Sequence, residues 1–345
     1  MGATLIHAEF SAAVRAAVHQ WRVGTTFEDA CESLADPVSL GKQLSAAVHA
    51  ELTRTGTDLN ALRQRAWTDA CVHLPGAFDV ADLPATPTGF LPLPDAEGTL
   101  LARASSIAAI ATLGLDTVSY GSENDGELFV NLVIIPGDGY VPEKSRSSMH
   151  GHTDAVSFPV RGQFDSEEVR IAPSPDFVCL SGLRNPTNAE TTVMPLSQIL
   201  PQLTEGQIAE LKKPQFIIRA QGTFRDGTQR ILGEEHLVDG GELLFDVNGQ
   251  LWVRFSHSSA GADDEGAAAD AVEAFANACK TCATGIAIVA GDILLVNNRI
   301  GLHGRTTVDG EAGGESRWLL RTYGLDTSGL NPQQRYEDSV HKLFP

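Results

Sequence analysis

Gly291-Asp-Ile-Leu-Leu-Val-Asn-Asn-Arg-Ile-Gly-Leu-His303-Gly-Arg305 is the stretch from which the fold of this 345-residue chain is read. An apolar strand, Ile293–Val296, leads into a polar turn, and the turn delivers His303. Outward from it, from Thr117 onward, the chain keeps this texture of short apolar runs separated by turn residues. Leu128–Ile135, Ala155–Pro159, Phe177–Leu183, Thr191–Met194, Phe216–Ala220, Gly241–Phe245, Leu251–Phe255, Ile286–Leu295 and Trp318–Leu325 are strand candidates, several rich in β-branched residues. Such spacing suits a β-sandwich or barrel.

Upstream the pattern is different. Residues 1 to about 75 read as helical, with Ala, Val and Leu at helical spacing in Ser11–Trp21 and Ser39–Leu52. Residues 76–100 are rich in Pro and Gly and read as an extended loop, and Thr99–Gly114 as a further helix. Helical inserts are expected at Leu196–Lys212 and Asp264–Ala283. Helices first and a β-rich core afterwards is an α+β arrangement, expected as one domain over residues 1–345, mainly helical to residue 115 and β-rich over 116–330.

Composition limits the function. Hydrophobic residues make up 42% and charged residues 20%, an ordinary soluble balance, and the net charge is −19. Such a charge disfavours nucleic acid and anionic membranes as partners. The five cysteines are too few and of the wrong parity for a disulfide framework, so a reducing cytoplasm is the expected setting. Cys279 and Cys282 form a CxxC in an Ala-rich helical segment without a second ligand pair, and read as two small buried side chains. The first residues lack a basic region followed by an apolar one, and no apolar run is long enough to span a bilayer.

Chemistry concentrates in three places. In Ser148-Met-His-Gly-His152-Thr-Asp154, His152 and Asp154 stand two apart, which on a strand puts an imidazole and a carboxylate on one face. His303 supplies a third ligand. Two His and one carboxylate leave three positions open on an octahedral metal, which fits non-haem Fe(II) oxygenases better than tetrahedral zinc. Arg317 and Arg321 follow 14 and 18 residues after His303, and their even spacing puts both on one strand face. Two inward guanidinium groups near a metal imply two carboxylates to hold, a need met by a dicarboxylate co-substrate and an amino-acid substrate.

With these pieces in place, the chain resembles the clavaminate synthase-like Fe(II)/2-oxoglutarate oxygenases, a group that includes hydroxylases of free amino acids. The likeness runs from about Tyr120 to Leu325. It is strongest at His152-Thr-Asp154, Asp176-Phe-Val-Cys-Leu-Ser-Gly-Leu-Arg184, Gly291 to Arg305, and Arg317 with Arg321. The resemblance implies a double-stranded β-helix (jelly-roll) core with flanking helices. It also implies Fe(II), 2-oxoglutarate and O₂ as the reagents, succinate and CO₂ as co-products, and hydroxylation of an unactivated C–H. Arg317 would bind the distal carboxylate of 2-oxoglutarate, helped by Thr191 or Thr192. Arg321 would meet the substrate carboxylate or help hold the co-substrate. Ser122, Glu123 and Asn131 stand where relatives place substrate contacts. Arg305 either contacts the co-substrate or makes a structural salt bridge.

Two features depart from the group's pattern. The acidic ligand is Asp154 where glutamate is common; its presence as a carboxylate argues against halogenation, since halogenating relatives have a small residue there. After Leu251–Phe255, relatives that take basic amino acids carry an acidic pair, whereas this chain reads Ser256-His257-Ser258. That lowers the expectation of a lysine or arginine substrate and makes His257 a substrate-contact candidate, although Asp263, Asp264 and Glu265 follow in an expected lid. The expected partner is a small molecule: a free amino acid or close derivative in specialised metabolism. Rivals are a cyclic dipeptide, a cyclic amino acid or a carrier-bound residue, desaturation or ring closure, or a jelly-roll protein that binds metal without oxygenase activity.

Overall fold

The structure, a computed structural model, describes residues 2–161, 169–262 and 265–345, with side chains from residue 7. It is α+β. Helices Gly2–Val23, Pro37–Thr55 and Glu97–Thr112 pack on one face of a seven-stranded sheet. The packing is apolar: Phe10, Val14, Leu44, Val48, Ile107 and Ile110 meet Phe177, Leu295, Trp318 and Leu320. Asp36 starts the second of these helices by accepting from Ser39 N, and Gly56 in the left-handed region ends it.

In the large sheet, neighbours run Cys71–Leu74, Ile293–Asn297, Phe177–Arg184, Trp318–Leu325, Asp116–Tyr120 and Lys342–Leu343, and Val130–Val133 also pairs with Trp318–Leu325. A four-stranded sheet runs Thr284–Ala287, Glu190–Pro195, Gly301–Arg305 and Met149–His152, all antiparallel. It packs on the other face of the large sheet, with Val193 against a cluster that holds Leu180, Leu319 and Tyr323. Its outer side is covered by the helix Ala267–Thr281, whose Phe275 and Cys279 pack with Met194 and Leu302. The layers are therefore helices, large sheet, small sheet, helix.

Several boundaries differ from expectation. Ala155–Pro159 is a turn, because Ala155 takes φ 54° straight after Asp154 and the chain cannot continue as a strand. Ile286–Leu295 divides into two strands of different sheets, broken at Gly291 (φ 91°). Cys71–Leu74 is a strand inside the region read as helical, and Lys342–Leu343 joins the sheet beyond residue 330. The helices Tyr140–Arg146 and Gly222–Leu232 carry no expectation above.

Candidate metal centre

The layer order puts the inner face of the small sheet opposite the inner face of the large one. His152 ends its strand and stands in register with His303 on the neighbouring strand, with ring centroids 4.3 Å apart. Two glycines let these strands close up. A Cβ on Gly304 would lie 2.3 Å from the Met149 carbonyl, and one on Gly151 would lie 2.4 Å from Met194 Sδ.

Asp154 arrives from the turn after His152. Its Oδ1 lies 3.4 Å from His152 Nε2 and 3.9 Å from His303 Nε2. One ligand atom from each of the three residues falls within 4.8 Å of the other two. The turn is held from several sides. Asn298 Oδ1 accepts from Asp154 N at 2.9 Å, and Asn298 Nδ2 donates to Asp154 O at 3.1 Å. Gln221 Nε2 donates to the Thr153 carbonyl, and Thr153 N to the Phe255 carbonyl. Asn298 is itself placed by Arg299, whose buried guanidinium is paired with Asp176 at 2.9 Å and bonded to Ser174.

The donor set fits a divalent cation with O and N preference. His152 Nδ1 donates to the His150 carbonyl at 3.0 Å, which leaves the lone pair on Nε2, beside Asp154. Asp154 Oδ2 is buried without a hydrogen-bond partner. Burial disfavours the charged form of Asp154, but its close neighbours His152, His303 and Arg321 together outweigh it, and the carboxyl is held well below the usual range. Burial, reinforced by the neighbouring His152 and Arg321 charges, pulls His303 down to about 3 despite Asp154. A deprotonated carboxylate with a neutral buried imidazole is the state in which metal ligands bind.

The large sheet supplies the cations. Arg317 stands one residue before Trp318–Leu325 and is 4% exposed. Its Nε is buried with no acceptor, and burial, with the Arg305 charge adding to it, pulls the guanidinium down to about 9. Arg321 is paired with Glu123 at 2.7 Å and lies 4.0 Å from Asp154 Oδ2. Tyr323 donates its hydroxyl to Glu123 at 2.9 Å. Burial disfavours the charge on Arg321, but Glu123 and Asp154 outweigh it and raise the guanidinium above its ordinary value. Burial pushes the Glu123 carboxyl up, against the pull of Arg321.

Ladder register sorts the remaining candidates. Thr191 pairs with Arg305 and Val193 with His303, so Thr191 shares the ligand face. Thr192 pairs with Gly304 and belongs to the opposite face, which corrects its place among the co-substrate contacts. There it lines a separate cleft of about 240 Å³ with His150, His257 and Lys280. His150 and His257 are exposed and lie ring to ring at 4.6 Å, while the strand bridge to His152 is made by Ser256.

Asn131 is also corrected. It pairs with Leu320 on the helix-facing side of the sheet, its amide donates to Phe90 and Pro92 carbonyls, and it accepts from Trp318 Nε1 at 2.9 Å. The Ser122 hydroxyl donates to the Pro345 main-chain oxygen and is not available to a substrate. Asp263 and Asp264 lie outside the described residues, and Glu265 is exposed. Cys279 is buried behind Gly151, and Cys282 is half-buried with its thiol on the Gln198 carbonyl. Asn298, Gln221 and Tyr323 are site residues without an expected role. Asn298 had a legible signal, a polar side chain in the turn between two buried runs; Gln221 and Tyr323 had none.

The layered α+β architecture thus carries a His-Asp-His cluster that could hold a metal ion, with buried arginines nearby. No model of a known protein family matches the chain. Curated relatives do, among them two from Streptomyces. Clavaminate synthase 2 of Streptomyces clavuligerus is 25% identical over 267 residues, covering 76% of each chain. L-asparagine oxygenase of Streptomyces coelicolor is 26% identical over 285 residues, covering 81% of this chain and 78% of that one. Among solved structures, asparagine oxygenase with Fe(II), 2S,3S-3-hydroxyasparagine and succinate superposes with TM-score 0.73 at 22% identity, over 97% of each chain. The non-heme iron oxygenase OrfP with Fe and alpha-ketoglutaric acid does so with TM-score 0.73 at 18% identity, over 97% of each. The chain is thus similar in sequence to a clavaminate synthase and an asparagine oxygenase, and shares its fold with non-haem iron oxygenases.

Proposed function

We propose that this protein is an Fe(II)/2-oxoglutarate-dependent dioxygenase that hydroxylates a free amino acid or close derivative. The observation that carries it is the convergence of an empty-handed buried arginine, Arg317, and an Arg321–Glu123 pair on a three-ligand metal centre. The facing antiparallel sheets support a double-stranded β-helix core within one domain spanning the chain.

Each residue has a physical task. His152, Asp154 and His303 would hold the iron, and three protein ligands would leave it positions for reagents. Arg317, with the Thr191 hydroxyl on the same side, neutralises the far carboxylate of 2-oxoglutarate. Arg321 and Glu123 present opposite charges next to each other, the complement of an amino acid's carboxylate and ammonium. Leu180, Leu319 and Val193 pack behind these groups and keep water out. When bound, iron would let O₂ act as the oxidant and 2-oxoglutarate as the reductant, so that one oxygen atom of O₂ ends in succinate as CO₂ is lost and the other is inserted into the substrate C–H. The relatives' substrates, asparagine in one case, support an amino acid as the class.

The test is a two-stage titration without air, Fe(II) first and 2-oxoglutarate second. A weak visible iron-to-keto-acid band is expected, and in air a screen of amino acids and small peptides should find one that couples succinate formation to its own oxidation. No band and no coupled succinate would remove the proposal.

A further inference from the structure

Arg305 is a half-buried cation whose Nε is enclosed and left unanswered. It stands two residues after His303 on the ligand strand, in register with Thr191, on the same face of the small sheet. Its Nη2 donates to two main-chain carbonyls, Ser147 at 2.7 Å and Lys144 at 3.0 Å. These belong to the C-terminal end of the helix Tyr140–Arg146, where carbonyl dipoles give partial compensation. Nε is buried and has no acceptor. Among the described residues no carboxylate pairs with it, although the chain has 44 acidic side chains to draw on. The structural salt bridge that the sequence left open is absent among them.

The same holds for Arg317, whose Nε is likewise buried and unclaimed, and the two guanidinium groups lie close enough for Arg305 to disfavour the charge on Arg317. Burying one unpaired cation is costly; burying two that repel each other is costlier. A guanidinium keeps its charge at neutral pH, so both side chains present positive charge to the space between the sheets. A site of this kind is complete only when an anion enters it.

We infer that Arg305 is a second arm of the co-substrate cradle. Together with Arg317 it grips the far carboxylate of 2-oxoglutarate and makes the enzyme selective for a 2-oxo acid that carries a second carboxylate. The inference rests on the oxygenase reading above but assigns a residue which that reading does not need. The Lys144 and Ser147 carbonyls fix the guanidinium by one nitrogen and leave Nε free for the ligand.

The experiment compares two keto acids on the Fe(II)-loaded protein without air: 2-oxoglutarate, and 2-oxobutyrate, which has the same chelating end and no second carboxylate. Affinity is read from the visible band and from the ligand-induced rise in melting temperature. For Arg305→Gln, affinity for 2-oxoglutarate should fall by about tenfold or more, the usual effect of losing a charged hydrogen bond, with 2-oxobutyrate nearly unchanged. Arg305→Lys should recover part of the loss and serves if the glutamine variant folds poorly. Equal losses for both acids would show that Arg305 only shapes the strand, and no loss for either would show that it is idle; either result overturns the inference while the oxygenase reading stands. A wild-type protein that gives no band with 2-oxoglutarate overturns both.

Discussion

Asn298 grips the backbone of Asp154 from both ends, accepting from its N–H at 2.9 Å and donating to its carbonyl at 3.1 Å. The carboxylate is thus aimed by an amide that never touches the metal position. The same Nδ2 donates to the Pro175 carbonyl at 2.9 Å, which ties the ligand turn to the loop that carries Asp176. Asn298→Ala should lower Fe(II) affinity by about 10- to 100-fold, as loss of a supporting partner does at other metal sites. Calorimetric titration of the metal checks it, and an unchanged affinity would mean that the turn holds itself.

Arg317→Ala removes the cation proposed to meet the far carboxylate. The apparent 2-oxoglutarate requirement should rise by about tenfold or more while metal affinity stays near that of the wild type. Steady-state kinetics at varied co-substrate, with iron saturating, would decide it. An unaltered requirement would assign the far carboxylate to another group.

Acid should loosen the metal-free protein through His303. Its folded value of about 3 lies below its ordinary 6.5, so between these values the unfolded chain binds the extra proton. Stability therefore rises with pH across that window and is lost as pH falls from about 6.5 toward 3, with a slope approaching 1.4 kcal/mol per pH unit from this group. Asp154, with a depressed folded value, contributes stability that is lost only at still lower pH. Urea melts with chelator present, from pH 7 to 5, should show the decline, and His303→Gln should flatten it. The same variant should abolish turnover, since a ligand is gone. Parallel curves for variant and wild type would contradict the assignment.

Asn131→Ala tests a correction. Its amide links the loop at Phe90–Pro92 to Trp318 on the helix side of the sheet. Stability should drop by about 2–3 kcal/mol, because buried donors and an acceptor lose their partner together, while substrate KM stays put. A raised KM with intact stability would return Asn131 to the substrate site.

The metal ligands were legible in their spacing, but the shared strand face expected for His152 and Asp154 is not what joins them: His152 ends its strand and Asp154 reaches the cluster from the turn that follows. The arginines were likewise legible in their spacing. Thr191 and Thr192 were not separable, since adjacent residues face opposite ways and only the pairing to Arg305 and Gly304 says which way. Asn131 and Ser122 misled because their neighbours in sequence, Val130 and Glu123, do border the arginine strand and the site. The break at Gly291 escaped a reading by hydrophobic runs: Ile286–Leu295 is apolar but for Gly291-Asp292, and there a left-handed glycine sends its halves to different sheets. Helix starts such as Asp36 were plain, being set by local hydrogen bonds.

The unanswered arginines have a kinetic consequence. A dianion approaching this molecule first meets a surface with 19 excess negative charges, and only inside does the field reverse sign. Salt screens the outer repulsion over about 8–10 Å at ordinary ionic strength, whereas charges enclosed at Arg305 and Arg317 are little affected. Co-substrate uptake should therefore quicken as salt is raised modestly, the reverse of the slowing seen when a positively charged surface steers an anion inward.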